Sequence, residues 1–375
     1  MTKKMIDKID KPAIFSFASL RNFATAVFEH FNVPHEDAVL AADVLAYSDE
    51  HGIDSHGIAR LKTYYDLLKA GRINPSPTIT VVREKASVAT VDGDNGLGLV
   101  IGPKCMELAM QKADKFGSGW ISVRNTNHYG AAGYYPVMAL QKELIGLSMT
   151  NTTAGVAPFL GAEKMLGTNP IAIAFPGLEE PPVLIDFASS AVSYGKVEIA
   201  KRNGVAVPGG WCLDSNGHPT QNPAEMIGGG ALLPLGSNTE GSGHKGYCLA
   251  SMVDILSAVL SGANWGPFAI PFAIHVSPQE KQVGKGIGHF FGAFDIDGFR
   301  DKAAFKMEMD EWIRTMRKTK PQPGAEKVLI PGDPERLAYE KRKSEGIPVN
   351  KEVVKSLQVI AQETGIDLEI SNQPF

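Results

Sequence analysis

The chain has 375 residues, of which 43% are hydrophobic and 21% are charged, and its formal net charge is −4. This length and composition are typical of a globular protein with a core large enough for two or three packed units. The negative net charge argues against nucleic acid as a partner, and no run of residues approaches the ~20 apolar positions that a membrane span needs.

Amphipathic patterns predict three helices in the first part of the chain. We expect the first over residues 20–31 and the second over residues 34–51. The third is expected to start at Ser55 or His56 and to end near Gly71, because its apolar residues recur at helical spacing.

Strands and helices alternate after residue 78, and the tail returns to helices. Strands are predicted over residues 79–83, 87–92, 120–123, 145–150, 171–175, 183–187 and 287–296. Later helices are predicted over residues 247–260, 302–318, 335–344 and 351–364. This order predicts an α/β (α+β) protein with three units, at residues 1–77, 78–300 and 301–375, the last packing back on the first.

The segment Asp54–Arg60 places a hydroxyl, an imidazole and a guanidinium within seven residues. If a helix begins at Ser55, His56 and Arg60 are four residues apart and share one face. The imidazole can then transfer a proton at a carbinol while the guanidinium holds a carboxylate through two hydrogen bonds. Taken singly, Ser55 is most simply a helix N-cap, His56 a helix-start residue and Arg60 a surface residue. The spacing of these three residues favours a catalytic site over these separate structural roles.

A second histidine, His128, lies in the polar, glycine-rich segment Asn125–Gly133. The small residues after it leave room for a ligand, although an ordinary loop histidine is the simpler alternative. With His56 and Arg60 it offers the groups for redox chemistry on a small hydroxy or keto acid. Either histidine could be the acid/base, and the sequence leaves that choice open.

Two short segments beside predicted strands offer further ligand contacts. Thr168 and Asn169 lie just before a strand, where they form an ordinary turn or present donors to a ligand. Asp186, with Ala188, Ser189 and Ser190, sits at the end of a strand, and an aspartate there forms a simple turn or binds a ribose hydroxyl.

The run Gly241–Gly246 matches GxGxxG, but the residues before it are poor strand material, so the Rossmann fingerprint fails. The glycines and Lys245 still make a good anion site at a helix N-terminus. A loop that only caps a core helix is the alternative.

The sequence gives weak support for a metal site or a hydrolase. The nine histidines form no ligand cluster, and His51 and His56 do not have HExxH spacing. There is no Walker A motif and no GxSxG at a strand–helix junction. The three cysteines form no CxxC pair, which favours a reducing, cytoplasmic location.

Several long segments in register resemble the malate/L-lactate dehydrogenase family, which includes ureidoglycolate and sulfolactate dehydrogenases and diketogulonate reductase. The matching segments include GIDSHGIARL (52–61), NTNHYGAAGYY (125–135), LGTNPIAIAFP (166–176), IDFASSAVSYGK (185–196) and IPGDPE (330–335). They cover most of the chain from about residue 50 to residue 335.

The resemblance implies a non-Rossmann fold in which a largely antiparallel mixed sheet carries the cofactor beside a flanking helical unit. Residues 78–300 would bind NAD, with NADP as an alternative, and residues 1–77 would serve the substrate and dimerisation. The active site would lie at a homodimer interface, with no metal, membrane or nucleic acid involved.

The resemblance also assigns roles to residues. His56 matches the proton donor of some members, His128 the base of others, and Arg60 the arginine that binds the substrate carboxylate, with Ser55 beside them. Thr168 and Asn169 would join Arg60 at the substrate. Cofactor contacts would fall on Thr152, Asp186, Ala188, Ser189, Ser190, His244, Lys245, Gly332 and Asp333. Many members carry Gly-Glu where this chain has Gly332-Asp333, and the shorter side chain weakens that assignment.

These observations predict an oxidoreductase that interconverts a 2-hydroxy acid and a 2-keto acid, with L-malate and oxaloacetate as the pair. L-lactate, ureidoglycolate or sulfolactate are alternative substrates, since members share Ser-His-Gly and differ in the lining of the pocket. A nucleotide-binding regulator without catalysis is the alternative from another class, and the intact His56, Arg60 and His128 speak against it.

Overall fold

The computed structural model describes residues 12–369, apart from the side chain of Arg202. The outer limits of the first and last predicted units therefore lie outside the described residues. None of the helices within residues 12–369 is long and apolar enough to cross a membrane.

The first part of the chain is helical, as expected. Its elements are the strand β1 (Ala13–Phe15) and the helices α1 (Phe17–His30), α2 (His35–Glu50) and α3 (Leu61–Lys69). Ser16 caps α1 by accepting a hydrogen bond from the N–H of Ser19. Tyr64 and Leu68 of α3 are buried in the same core as Phe28 of α1.

The predicted start of the third helix is wrong. Residues 51–57 form a loop, a short 3₁₀ turn covers Ile58–Arg60, and the α-helix begins only at Leu61. Ser55 is therefore not an N-cap, because its hydroxyl is paired with the ring of His56. His56 and Arg60 do not share a helix face, and their proximity comes from the loop instead.

A seven-stranded sheet forms the centre of the molecule. Its strands are β2 (Thr80–Lys85), β3 (Val88–Gly96), β4 (Ser118–Thr126), β5 (Ile145–Thr150), β6 (Ile171–Phe175), β7 (Val183–Phe187) and β11 (Ile287–Phe294). The strand order is β2-β3-β4-β11-β5-β6-β7, and only the β3–β4 pair is parallel. This confirms the expected largely antiparallel mixed sheet.

Helices and a small second sheet cover the large one. The elements are α4 (Gly98–Phe116), α5 (Tyr134–Leu140), α6 (Tyr194–Arg202), β8 (Cys212–Leu213), β9 (Pro219–Thr220), α7 (Pro223–Ile227), β10 (Ala231–Leu232) and α8 (Gly243–Asp254). The core between α4 and the sheet contains Ile101 and Met106 packed with Ile121 and Phe291. β10, β8 and β9 form a three-stranded antiparallel sheet.

The last segments are α9 (Lys302–Arg317), α10 (Asp333–Glu345), β12 (Ile347–Val349) and α11 (Lys351–Thr364). β12 pairs antiparallel with β1, and Leu357 and Ile360 of α11 join the core of the first helices. Ile313 of α9 packs instead against Val183 of β7. The end of the chain therefore contacts both the helical unit and the large sheet.

Candidate active site

Three groups of predicted site residues follow strands that end at the same edge of the large sheet. β4, β5 and β7 all end at this edge, and β6 and β11 begin there. The loop after β4 carries His128, the segment after β5 carries Thr152, and the end of β7 carries Asp186. The sheet topology therefore gathers residues that are far apart in sequence.

The His128 ring is fixed through its Nδ1 atom. The N–H of Gly130 donates to Nδ1 at 3.2 Å, and the hydroxyl of Tyr64 lies 2.7 Å from the same atom. A backbone N–H directed at Nδ1 requires that nitrogen to be the acceptor. The neutral ring therefore carries its proton on Nε2, which faces away from these partners.

His56 is bonded differently. Its Nδ1 lies 2.8 Å from the hydroxyl of Ser55, which can donate or accept, so either nitrogen of the neutral ring can hold the proton. The His56 and His128 rings stack with centroids 5.7 Å apart and planes 20° apart. The two histidines that the sequence predicted thus lie side by side, with unequal hydrogen-bonding freedom.

Arg60 lies next to this pair. Its Nε donates to the carbonyl of Ser55 at 2.6 Å, which ties the guanidinium to the loop that carries His56. Among residues 12–369, the two Nη groups of Arg60 have no hydrogen-bond partner. They remain free to bind a carboxylate through two parallel hydrogen bonds.

Both imidazoles are neutral at physiological pH. Burial, followed by the positive charge of Arg60, lowers the pKa of His56 to about 4. Burial also holds the pKa of His128 well below its usual value, with smaller contributions from His56, Arg60 and His289. A neutral imidazole beside a guanidinium can accept a proton or donate a hydrogen bond.

Sequence reasoning missed two aromatic residues of the site. Tyr64 belongs to the apolar repeat that predicted the third helix and was given no role at the site, yet its hydroxyl contacts His128. Phe272 was not singled out, yet its ring stacks on His128 with centroids 4.2 Å apart and planes 10° apart. Helical periodicity does not distinguish a tyrosine of the core from one that lines a ligand site. Phe272 lies in a long loop that contains no recognisable motif.

Thr152, Thr168, Asn169 and Ser189 form one hydrogen-bonded group. Thr152 Oγ1 accepts the N–H of Thr168 at 3.0 Å, and the carbonyl of Thr168 accepts the N–H of Ser189 at 2.9 Å. The Asn169 side chain accepts the N–H of Thr152 at 3.2 Å and donates to the carbonyl of Ala250 at 3.0 Å. Asn169 therefore braces this group from a buried position.

Asp186 is fastened to the loop that carries His128. Its carboxylate accepts the N–H of Gly133 at 2.8 Å, yet the side chain remains accessible to solvent. The surrounding protein limits its solvation and raises its pKa to about 6, with a further contribution from Glu335. Next to it, Ala188 is half-buried and the Ser190 hydroxyl donates to the carbonyl of Val192 at 2.8 Å.

The start of α8 lies near this strand end, though its side chains are exposed. The N–H of Leu235 donates to the carbonyl of Ser189 at 2.9 Å, and a Cβ at Gly246 would lie 2.3 Å from the Leu235 carbonyl oxygen. Only glycine permits that approach. His244 and Lys245 are exposed, and the His244 ring meets Phe159 edge to face at 5.8 Å.

The start of α10 lies beside β7. Gly332 has a φ of 96°, which favours glycine, and the N–H of Leu184 donates to the carbonyl of Pro331 at 3.1 Å. The Asp333 carboxylate is buried and accepts hydrogen bonds from the N–H of Ile330 and from two arginines, Arg317 and Arg336. The side chain that matches the family's glutamate is therefore already engaged inside the protein.

In the part of the chain that the structure describes, no group of three or more histidine, cysteine or acidic side chains is placed to hold a metal ion.

Known proteins match this chain over most of its length. A family model for malate/L-lactate dehydrogenases matches residues 15–358. The chain belongs to this family. A malate dehydrogenase of Pyrococcus abyssi is 42% identical over 360 residues, which are 96% of this chain and 95% of the relative. The resemblance and the predicted class, an oxidoreductase of 2-hydroxy acids, are thereby confirmed.

Solved structures of family members have the same fold. Malate dehydrogenase from Pyrococcus horikoshii superposes with a TM-score of 0.86 at 39% identity, covering 96% of this chain and 97% of that one. Sulfolactate dehydrogenase from Methanocaldococcus jannaschii superposes with a TM-score of 0.85 at 38% identity, covering 95% and 98%. The non-Rossmann fold class is confirmed, and the two names show that substrates differ among similar chains.

Proposed function

We propose that this protein is an NAD-dependent dehydrogenase that interconverts L-malate and oxaloacetate. Relatives named malate dehydrogenase share 40% and 42% of its residues over 96% of the chain, which supports this substrate pair. The observation that carries the proposal is the arrangement of two stacked neutral imidazoles beside the unpaired Nη groups of Arg60.

The bonding of the two rings supports different roles for them. His128 presents Nε2–H to the substrate, because Nδ1 is occupied by the N–H of Gly130. It would donate a hydrogen bond to the oxygen on C2, where negative charge develops. His56 can leave Nε2 unprotonated by donating from Nδ1 to Ser55, so it would accept the hydroxyl proton in malate oxidation and return it in the reverse direction.

Arg60 would bind the carboxylate on C1 and so place C2 at the imidazoles. Thr168 would add a hydroxyl contact, with Asn169 holding the segment in place. When bound, the nicotinamide accepts the hydride from C2 of malate or supplies it to oxaloacetate.

The residues near the end of β7 suit a dinucleotide. An accessible carboxylate at Asp186 can accept ribose hydroxyl groups, and the start of α8 offers Lys245 and a helix N-terminus to phosphate. The remaining proposed contacts are Thr152, Ala188, Ser189, Ser190, His244, Gly332 and Asp333. Asp333 would contribute through its backbone, since its carboxylate is engaged by Arg317 and Arg336.

We propose NAD and not NADP as the cofactor because of the negative charges near the end of β7. Asp186 is accessible, and Glu335 is close enough to raise its pKa. A ribose hydroxyl is favoured next to such carboxylates, whereas the additional phosphate of NADP would be repelled.

The remaining assignments rest on the family and on composition. We propose a homodimer with the active site at its interface and a cofactor-binding unit at residues 78–300. Residues 1–77 and 301–375 would form the units on either side. The three free cysteines support a reducing, cytoplasmic location. Sedimentation of the purified protein tests the dimer.

The experiment that tests the function is a rate assay with NADH or NADPH against a panel of 2-keto acids. We expect the highest kcat/KM for oxaloacetate with NADH. A higher value for pyruvate or sulfopyruvate would reassign the substrate, and a preference for NADPH would overturn the cofactor choice. Cofactor binding without turnover of any keto acid would indicate a regulator without catalysis.

A further inference from the structure

Phe272 forms an apolar wall on one face of the His128 ring. The two rings are nearly parallel, with centroids 4.2 Å apart, and Phe272 also meets Tyr64 at 4.8 Å. The aromatic face offers no strong hydrogen-bonding group, and it covers that face of the imidazole. The bound acid must therefore reach His128 from another direction.

Arg72 holds the loop that carries this wall. Its guanidinium donates to three carbonyls of the loop, those of Pro271 at 3.1 Å, Ala273 at 3.0 Å and Val276 at 3.2 Å. A planar group with five N–H donors can serve three acceptors at once, whereas a lysine offers a single ammonium centre. Arg72 is thus suited to fix the path of the loop.

A second hydrogen bond holds the loop from the segment that follows β5. The N–H of Phe272 donates to the hydroxyl of Thr153 at 3.0 Å, immediately after Thr152 of the proposed cofactor group. Ile274, by contrast, is exposed on the same loop. The backbone is therefore anchored at Phe272 and at the residue on either side of it, and the ring packs on His128 and Tyr64.

We propose that Phe272, held in place by Arg72, is the specificity-determining wall that restricts the substrate to 2-hydroxy acids with a small side group. This inference rests on the proposed dehydrogenase activity. Phe272 limits the space beside His128, and Arg72 is a positioning residue that acts through the loop. Family members with similar folds have different substrates, and a long loop can change its side chains without disturbing the imidazole pair.

The test measures kcat/KM for oxaloacetate and for phenylpyruvate with NADH in wild type and in Phe272→Ala. Removing the ring opens space for an aromatic side group, so the ratio of phenylpyruvate to oxaloacetate should rise by about ten-fold or more. Phe268→Ala is the matched control, because Phe268 precedes the same loop but packs on Trp265 at 5.1 Å. The control should keep the wild-type ratio.

Two further variants test the roles of Phe272 and Arg72 separately. Phe272→Leu, a milder change, should shift the ratio in the same direction if Phe272→Ala does not fold. Arg72→Lys should also raise the ratio, and it should raise KM for oxaloacetate more than it lowers kcat. A folded Phe272 variant with the wild-type ratio would show that Phe272 does not determine specificity. An unchanged ratio in Arg72→Lys would show that Arg72 does not position the loop. An inactive wild type would instead refute the proposed function.

Discussion

The side-chain carboxyl group of Asp49 accepts a hydrogen bond from the backbone N–H of Ile58 at 2.7 Å, across the loop that carries Ser55 and His56. A Cβ at Gly57 would lie 2.0 Å from Asp49 Oδ1, so only glycine permits the contact. Arg342 of α10 adds a hydrogen bond to the Asp49 carbonyl. The loop of the proposed acid/base is thus held by α2 and by a helix from the end of the chain.

We expect Asp49→Asn to change the pH dependence of stability. Burial raises the pKa of Asp49 to about 8, well above the ~3.9 of an unfolded chain. The contribution of this carboxyl to stability is therefore fully present below pH ~4 and falls as pH rises towards 8. The variant should lack this fall. The difference between its free energy of unfolding and that of wild type should therefore increase by at most ~1.4 kcal/mol per pH unit between pH ~4 and ~8.

Denaturant unfolding at several pH values measures this difference. Glu36→Gln is the matched control, because Glu36 is exposed on the same helix. Parallel pH profiles for wild type and Asp49→Asn would contradict the account of this buried carboxyl.

The two histidines should respond differently to glutamine. A glutamine amide can supply the hydrogen bond that Nε2–H of His128 offers, but it cannot transfer a proton in place of His56. Alanine at His56 should lower kcat by about 10²–10⁴-fold. His128→Gln should recover part of the activity lost in His128→Ala, whereas His56→Gln should resemble His56→Ala.

Steady-state rates of oxaloacetate reduction, with NADH affinity as the control, measure these effects. The reverse pattern, in which glutamine rescues His56 and not His128, would exchange the two roles. Wild-type kcat in both alanine variants would remove both histidines from the chemistry.

Arg60→Lys should lose much of kcat/KM although the charge is kept. Lysine cannot form two parallel hydrogen bonds with a carboxylate, and it cannot reproduce the donation from Nε to the Ser55 carbonyl. We expect a loss of about ten-fold to a hundred-fold, at ~1.4 kcal/mol per decade. Arg83→Lys, on the exposed strand β2, is the control. An unchanged KM for malate and oxaloacetate would place Arg60 outside the site.

Lys245→Ala should weaken NADH binding by about ten-fold to a hundred-fold, because a charge-assisted contact is worth roughly 1.5–3 kcal/mol. Fluorescence titration measures the dissociation constant, and Lys201→Ala, also exposed, is the control. If the variant loses thermal stability while its NADH affinity is unchanged, the segment Gly241–Gly246 only caps α8.

Residue patterns predicted the parts of the fold that depend on local periodicity. The helix expected over residues 351–364 is α11 with the same bounds, and strands β5, β6 and β7 lie where they were expected. These segments have a clear alternation of apolar and polar residues, or a helical repeat, that burial then reinforces.

The site depends on contacts that local patterns do not contain. The start of α3 was misplaced because Ser55 pairs with His56 and Ile58 is held by Asp49. α8 begins at Gly243, before the expected residue 247, because the glycines there pack against the backbone and do not break the helix. The contact of Phe272 with His128 joins two distant loops, so only the assembled sheet reveals it.

The proposed activity requires this site to move a hydride between C2 of malate and a nicotinamide. The most direct test is oxidation of L-malate deuterated at C2 with NAD, followed by mass spectrometry of the reduced cofactor. We predict that the deuterium appears in the NADH formed and that His56→Ala slows its appearance. NADH without deuterium, or deuterium released to water, would contradict the account.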